Sequence, residues 1–158
     1  MADARFEDGA ETALTLRAEG LEDLTVLSAL IQDAVLAATD IRWDRKGRTL
    51  SLFLNRFRWE DRAAAEAAGR PYERVRALLV VADVGAVSSQ GFDRHDKDLV
   101  LSVLSLAWEA GADGAGRLVL TLAGDGAIAA EAECLDVTLK DVTRPYAAPS
   151  GHLPHHPD

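Results

Sequence analysis

The segment Arg48–Asp61, RTLSLFLNRFRWED, contains the clearest strand pattern in the chain and decides the predicted fold. Its alternate positions carry two apolar sets, Leu50, Leu52 and Leu54 on one side and Phe53, Phe57 and Trp59 on the other. Successive side chains of a strand point to opposite faces, so both faces of this segment are apolar over part of their length. The pattern therefore predicts a central strand that is covered on both sides.

The segment before this strand, AVLAATDIRW, is predicted to pair with it as the first arm of a β-hairpin. The turn is DRKGR, Asp44–Arg48, in which Gly47 can adopt the positive φ that tight hairpin turns require. A second hairpin is expected around Gly124–Gly126. The apolar phase of its return arm shifts by one at Cys134–Leu135, which predicts either a β-bulge or a break into a separate strand there.

Helical spacing of apolar residues is clearest in Leu21–Asp33, which is the predicted main helix. The alanine-rich segment Glu60–Pro71 is either a short helix or a mobile loop. Glu73–Gln90 is predicted to be one long, bent strand with a bulge at Gly85. Leu99–Ala110 is also predicted to be a strand, although its leucines fit a helical period as well.

With a short first strand in Thr12–Ala18, these segments amount to about seven antiparallel strands and one main helix. The predicted fold class is therefore α+β, mostly antiparallel β. We expect a strongly curved sheet or a partly open barrel, with the helix closing one side or end. A single globular domain is expected over residues 12–143, with flexible tails at 1–11 and 147–158.

Composition and charge narrow the classes of function. The 158 residues include no apolar run that could span a membrane, no secretory signal pattern and one cysteine, so a cytoplasmic protein is expected. The net charge of -9 argues against general nucleic-acid binding. Arg45–Arg76 nevertheless holds nine basic and four acidic side chains, whereas the rest holds eight basic and twenty-two acidic ones. Such segregation is compatible with an anion site, a homo-oligomer or a protein partner.

The sequence contains no motif typical of a catalytic site or a cofactor-binding site. GADGAG, Gly111–Gly116, precedes a predicted strand and is followed by no lysine, which disfavours a phosphate-binding loop. His95 could act as a base or as a metal ligand with Asp93 and Asp96, but an exposed turn histidine is the favoured interpretation. Cys134 is expected to be a small buried residue. The sequence therefore predicts no catalytic residue, no metal site and no cofactor.

The candidate ligand-binding residues are Arg56, Arg58, Trp43 and Trp59. Alternation places Arg56 and Arg58 on one side of the strand, where they continue the leucine face outward. Two guanidinium groups two residues apart could grip a carboxylate or a phosphate. The alternative is that the arginines pair with acidic residues of the same protein and anchor the strand end. The candidate acids for this pairing are Asp33, Asp40, Glu60 and Asp83.

Two long stretches, LSALIQDAVLAATDIRWDRKGRTLSLFLNRFRWE and GDGAIAAEAECLDVTLKDV, resemble an alphaproteobacterial family known as domain of unknown function 2948. The resemblance covers roughly Leu14 to Val142. It includes QDAV, LNRF, WE and the hairpin GDGAI…EC, where the family has GGGAI…EC. The resemblance implies a bacterial protein, but the family has no assigned activity, so no catalytic residue is carried over.

Two functional hypotheses remain at this point. The favoured one is a non-enzymatic binding or protein-interaction module, with an enzyme left open but disfavoured. The other is an enzyme or small-molecule binder that holds an anionic metabolite with Arg56 and Arg58. Side-chain direction separates them, because arginines that converge on an open pocket favour the second and arginines that are already paired favour the first.

Overall fold

The computed structural model describes residues 13–149 and 153–154. This part of the chain contains eleven strands and two α-helices, α1 (Leu21–Leu30) and α2 (Arg62–Ala68). The strands are β1 (Thr15–Ala18), β2 (Val35–Ala37), β3 (Ile41–Asp44), β4 (Thr49–Phe57), β5 (Glu73–Val81), β6 (Val84–Gln90), β7 (Val100–Ala110), β8 (Gly116–Leu122), β9 (Gly126–Ala132), β10 (Val137–Asp141) and β11 (Tyr146–Ala147). The predicted α+β class with mostly antiparallel pairing is confirmed.

The described strands form one open antiparallel sheet. Its order is β1-β10-β5-β4-β2-β7-β8-β9-β6, with β3 added to β4 and β11 to β5. The prediction of about seven strands in a strongly curved sheet is wrong. The count is too low because irregular residues break segments that the pattern reads as single strands. AVLAATDIRW holds both β2 and β3, separated by the 3-10 turn Ala38–Asp40, and Glu73–Gln90 holds both β5 and β6.

Local backbone irregularities explain where the predicted strands divide. Asp83 adopts φ 57 between β5 and β6, where the chain leaves β5, inside the sheet between β10 and β4, and continues as β6 at the end of the sheet. The pairing of β6 with β9 shifts register between Val84 and Ala86, which confirms the predicted bulge at Gly85. The return arm of the second hairpin ends with β9, and β10 begins at Val137, so the predicted break near Cys134 is confirmed.

The predicted main helix is confirmed in place but is three residues shorter than expected. α1 ends at Leu30, Ile31 caps it, and Asp33 adopts φ 62. The following backbone is held by β7, because the N–H of Asp33 donates to the Val103 carbonyl and the N–H of Val103 donates to the Ala34 carbonyl, both at 2.8 Å. Tertiary hydrogen bonds to a strand thus end the helix before its apolar pattern ends.

The core lies between two parts of the sheet. Leu52 of β4 and Leu79 of β5 line the same small internal cavity as Leu120 of β8 and Ile128 of β9. All four side chains are at most 4% exposed, and the neighbouring strands place them in register as alternate inward residues. The central position predicted for the Arg48–Asp61 strand is confirmed, since β4 pairs with β5 along its length and with β3 or β2 on its other side.

The β3–β4 hairpin forms at the predicted turn, but a different residue adopts the positive φ. Arg48 has φ 55, whereas Gly47 does not lie in the left-handed region. The N–H of Gly47 donates to Asp44 Oδ1 at 3.1 Å, and a Cβ added to Gly47 would have to displace the other oxygen of that carboxylate. This turn carries Arg45 and Arg48 to one end of the sheet.

The segment predicted as a C-terminal tail begins with ordered contacts. Tyr146 and Ala147 pair with β5, and the N–H of Ala148 donates to the Tyr72 carbonyl at 2.7 Å. The predicted tail 1–11 and most of 150–158 lie outside the described residues. Neither described helix is long enough and apolar enough to cross a membrane.

Candidate functional site

The structure divides the four predicted binding residues into two places. Trp43 lies on β3 opposite Leu50, whereas Arg56 lies six residues farther along β4. At about 3.3 Å per residue this separation is about 20 Å along the strand. Arg58 and Trp59 follow the end of β4 and stay near Arg56. The two places are therefore separate candidate sites.

Arg56 is fully buried and forms ion pairs with two carboxylates. Its Nε and one terminal nitrogen donate to Oδ1 and Oδ2 of Asp141, both at 3.0 Å. Both terminal nitrogens donate to Glu60, at 2.9 and 2.8 Å. Burial alone would lower the pKa of Arg56, but the hydrogen bonds that it donates to Glu60 and Asp141 outweigh this effect and raise that pKa. The guanidinium is charged, paired in two directions and unavailable to a ligand.

Arg58 lies in a second acidic environment beside the first. It donates a hydrogen bond to Glu73 and lies 3.8 Å from Glu60 and 3.9 Å from Asp61. Its side chain is only 11% exposed. Arg70 forms a two-bond pair with Asp61 at 2.7 Å and so joins the same network. This network connects the end of β4 to α2 and to the start of β5.

Trp59 is used in packing at the same place. Its ring lies 4.6 Å from the ring of Phe57, which also contacts Tyr72 at 5.5 Å. The indole N–H donates to the Gln32 carbonyl at 2.9 Å, after the end of α1. The predicted pairing alternative is therefore the arrangement found, with Glu60 correctly named. The partners Asp141 and Glu73 are missed because they are distant in sequence and follow from strand pairing alone.

Trp43 lines a separate open cleft of about 590 Å³. We call it the Trp43 cleft, and its lining residues are Trp43, Arg45, Arg48, Val84, Gly85, Ala86, Val87 and Arg94. It lies between the β3–β4 hairpin and β6, which are at unpaired edges of the open sheet. Sequence reasoning misses its three arginines, although the charged segments DRKGR and DRHDKD contain all of them.

The charge of the Trp43 cleft is only partly neutralised. Arg48 pairs with Glu133 at 2.9 Å. Over residues 13–149, no salt bridge or side-chain hydrogen bond joins Arg45 or Arg94 to a carboxylate, and none of the lining residues is acidic. A neighbouring cleft of about 570 Å³ is lined by Glu109, Glu131 and Glu133 as well as by arginines. The Trp43 cleft is therefore the cationic one of the two.

His95 and Cys134, the other residues considered for catalysis or metal binding, do not line the Trp43 cleft. His95 is exposed, and its backbone N–H donates to the Asp93 carboxylate at 2.9 Å within a turn. Cys134 is exposed rather than buried, so that expectation is wrong. It lies beyond the end of β9, and its thiol donates to Asp83 Oδ2 at 3.2 Å, a bond that raises the pKa of the thiol. Within the described residues, no three His, Cys, Asp or Glu side chains are grouped to hold a metal ion.

A family model described as "Protein of unknown function (DUF2948)" matches residues 14–156. No curated protein and no solved structure matches the chain. The family match agrees with the resemblance found in the two hairpin segments. It names no activity, so the geometry of the clefts carries the functional argument.

Proposed function

We propose that this chain, which belongs to the DUF2948 family, is a non-enzymatic binding module whose ligand places an anionic group in the Trp43 cleft. The observation that carries the proposal is an open cleft lined by Arg45, Arg48 and Arg94, of which Arg48 alone pairs with a carboxylate among the described residues, that of Glu133. Guanidinium groups bind carboxylates and phosphates through paired hydrogen bonds. The indole of Trp43 supplies an apolar wall beside them.

The size and shape of the cleft support binding of a group larger than a simple ion. Its volume of about 590 Å³ lies within the range of small-molecule and peptide-side-chain sites. Two of its arginines come from the β3–β4 turn, and Arg94 comes from the loop between β6 and β7. Rigid strands therefore hold Trp43 and the β6 wall, while turn residues supply the charge.

The alternative proposal, an enzyme or metabolite binder that uses Arg56 and Arg58, gains less support from the geometry. Both guanidinium groups lie against carboxylates of the same protein, and Arg56 is fully buried. Moving a ligand anion to Arg56 would leave Asp141 buried without its partner, which is costly. We assign these two arginines to the stability of the fold.

The proposed module acts through a protein or small-molecule partner in the cytoplasm, with a second copy of the chain as one such partner. The net charge of -9 favours partners other than nucleic acid. The single cysteine fits a reducing compartment.

The test uses citrate and inorganic phosphate as probes in low salt. We expect both to raise the thermal unfolding midpoint of the wild type and to give saturable binding by calorimetry. The variant Arg45→Ala/Arg94→Ala should weaken that binding at least about tenfold, which corresponds to about 1.4 kcal/mol. The control Arg42→Ala/Arg144→Ala removes the same charge from exposed positions outside the cleft and should bind like the wild type. If both variants lost citrate and phosphate binding equally, the loss would follow from the change in net charge and would contradict the proposal.

A further inference from the structure

We infer that the anionic group in the Trp43 cleft belongs to an extended acidic peptide of a partner protein, which adds to the sheet as a strand along β6. This inference rests on the proposed function and identifies its ligand class. Peptides that join a sheet edge gain affinity from main-chain hydrogen bonds and specificity from side-chain pockets. Both elements are present at this edge.

Three features of this edge support the inference, and the first is that the outer side of β6 is free. β6 is the last strand in the sheet order and pairs on one side with β9. Over the described residues, the one backbone hydrogen bond between β6 and a segment other than β9 is donated by Val84 to the Arg48 carbonyl at 2.9 Å. From Gly85 to Gln90 all residues except Val87 are exposed. The outward N–H and C=O groups of β6 are therefore open to another strand.

The second feature is that this edge lacks the residues that normally protect a strand edge. β6 reads VGAVSSQ and contains no lysine, no proline and no charge. Its bulge at Gly85 lies at its beginning, which leaves the rest of the strand regular. The opposite end of the sheet is β1, which has only four residues and carries Arg17 paired with Asp136. The unprotected edge is thus the one beside the Trp43 cleft.

The third feature is the position of the cleft along this edge. Residues Val84–Val87 of β6 form one wall and Trp43 of β3 forms another. Because β3 pairs with β4 and β6 pairs with β9, the cleft is the gap that leaves the sheet open. A strand on β6 would pass between Arg45 and Arg48 of the turn and Arg94 of the following loop. An acidic side chain on that strand meets a guanidinium group there.

Two kinds of strand could pair with β6: the β6 strand of a second copy of this chain, or a segment of another protein. The charge of the cleft favours the second. A second copy of this chain could offer its own β6, but that strand carries no acidic residue to pair with the arginines. An acidic segment of another protein satisfies both the edge and the cleft. Electrostatic complementarity of this kind also excludes basic partners.

The experiment uses two fluorescein-labelled ten-residue peptides of alternating valine and threonine, with three glutamates at the N-terminal end in one and at the C-terminal end in the other. One of them should bind the wild type and protect β6 amides from hydrogen exchange. Replacing its glutamates by glutamine, or N-methylating alternate backbone nitrogens, should each weaken binding at least about tenfold. The first change tests the cleft, and the second tests strand pairing.

Variants of β6 supply the matched control. Neighbouring N–H groups of a strand point in opposite directions, so only one of Ser88→Pro and Ser89→Pro removes an outward N–H and leaves the β9 ladder intact. The variant that keeps the wild-type unfolding midpoint should lose peptide binding but still bind citrate. If neither peptide binds while citrate binds the cleft, the peptide inference is wrong and the proposed function stands. If sedimentation shows a dimer that the same proline variant dissociates, β6 pairs with a second copy and the inference is also wrong.

Discussion

Arg56 of β4 and Asp141 of β10 lie 85 residues apart and form a buried ion pair through two hydrogen bonds of 3.0 Å. β5 lies between their strands, with Ala77 opposite both Asp141 and Leu54. Asp141 Oδ2 also accepts the N–H of Leu14 at 3.1 Å, so one carboxylate connects β10, β4 and the start of β1.

Removing one partner of this pair should destabilise the fold strongly. Arg56→Met or Asp141→Asn leaves a buried group without its counter-charge, and each should lower the free energy of unfolding by about 3–5 kcal/mol. Urea unfolding at pH 7 measures the loss. The double variant Arg56→Met/Asp141→Asn should lose less than the sum of the single changes. Additive losses would show that the two residues act independently.

Acid should weaken the protein through Glu60. Burial alone would raise the pKa of Glu60, but hydrogen bonds from Arg56 outweigh it and the net shift is downward. Since the folded pKa lies below the unfolded value of about 4.3, this carboxylate stabilises the fold above that value. The contribution is lost as the pH falls through the lower folded pKa.

Urea unfolding from pH 7 down to pH 3 tests this dependence on Glu60. The variant Glu60→Gln should be less stable than the wild type at pH 7 and should lose less on acidification. Glu22→Gln, in the exposed first turn of α1, is the matched control. A Glu60→Gln profile parallel to that of the wild type would contradict the role of Glu60.

Gly116 should be sensitive to the smallest substitution. A Cβ at this position would lie 2.6 Å from the carbonyl oxygen of Glu109, and it would also overlap the Trp108 ring. Gly116→Ala should therefore cost about 1–3 kcal/mol of unfolding free energy. Gly85→Ala in β6 is the control, because its Cβ would meet nothing closer than 4.0 Å. Equal thermal unfolding midpoints for the two variants would count against this steric explanation.

Cys134 should react slowly with alkylating reagents although it is exposed. Its hydrogen bond to Asp83 raises the pKa of the thiol and lowers the fraction of thiolate at neutral pH. Asp83→Asn removes the negative charge and still tolerates φ 57. The rate of iodoacetamide labelling at pH 7.5 should rise in this variant. Because Cys134 is the single cysteine of the chain, the labelled site is unambiguous.

Much of the secondary structure could be predicted because it depends on local patterns. The alternation of Leu50, Leu52 and Leu54 defines β4, and Gly124 and Asp125 adopt the positive φ that the second hairpin needs. The phase change near Cys134 correctly predicts that the strand breaks. These features require only neighbouring residues, whose steric and hydrophobic preferences are visible in the sequence.

The strand count and the sites could not be predicted in the same way. Asp33 and Asp83 adopt positive φ and redirect the chain, although neither is a glycine. The partner of Arg56 is selected by the pairing of β10 with β5 and of β5 with β4. No local pattern near Arg56 contains that information. Trp43 and Arg94, likewise, face one cleft only because the sheet remains open between β3 and β6.

The sequence by itself determines the α+β class, the central strand β4, its turn and the family, because these follow from alternation, turn residues and motifs. Only the tertiary structure decides which arginines are available. Arg56 and Arg58 meet carboxylates that strand pairing brings to them, whereas Arg45 and Arg94 meet none among the described residues. The sequence shows only that an arginine carries a positive charge. Whether it stabilises the fold or is available to a ligand depends on whether folding places an acid within hydrogen-bonding distance.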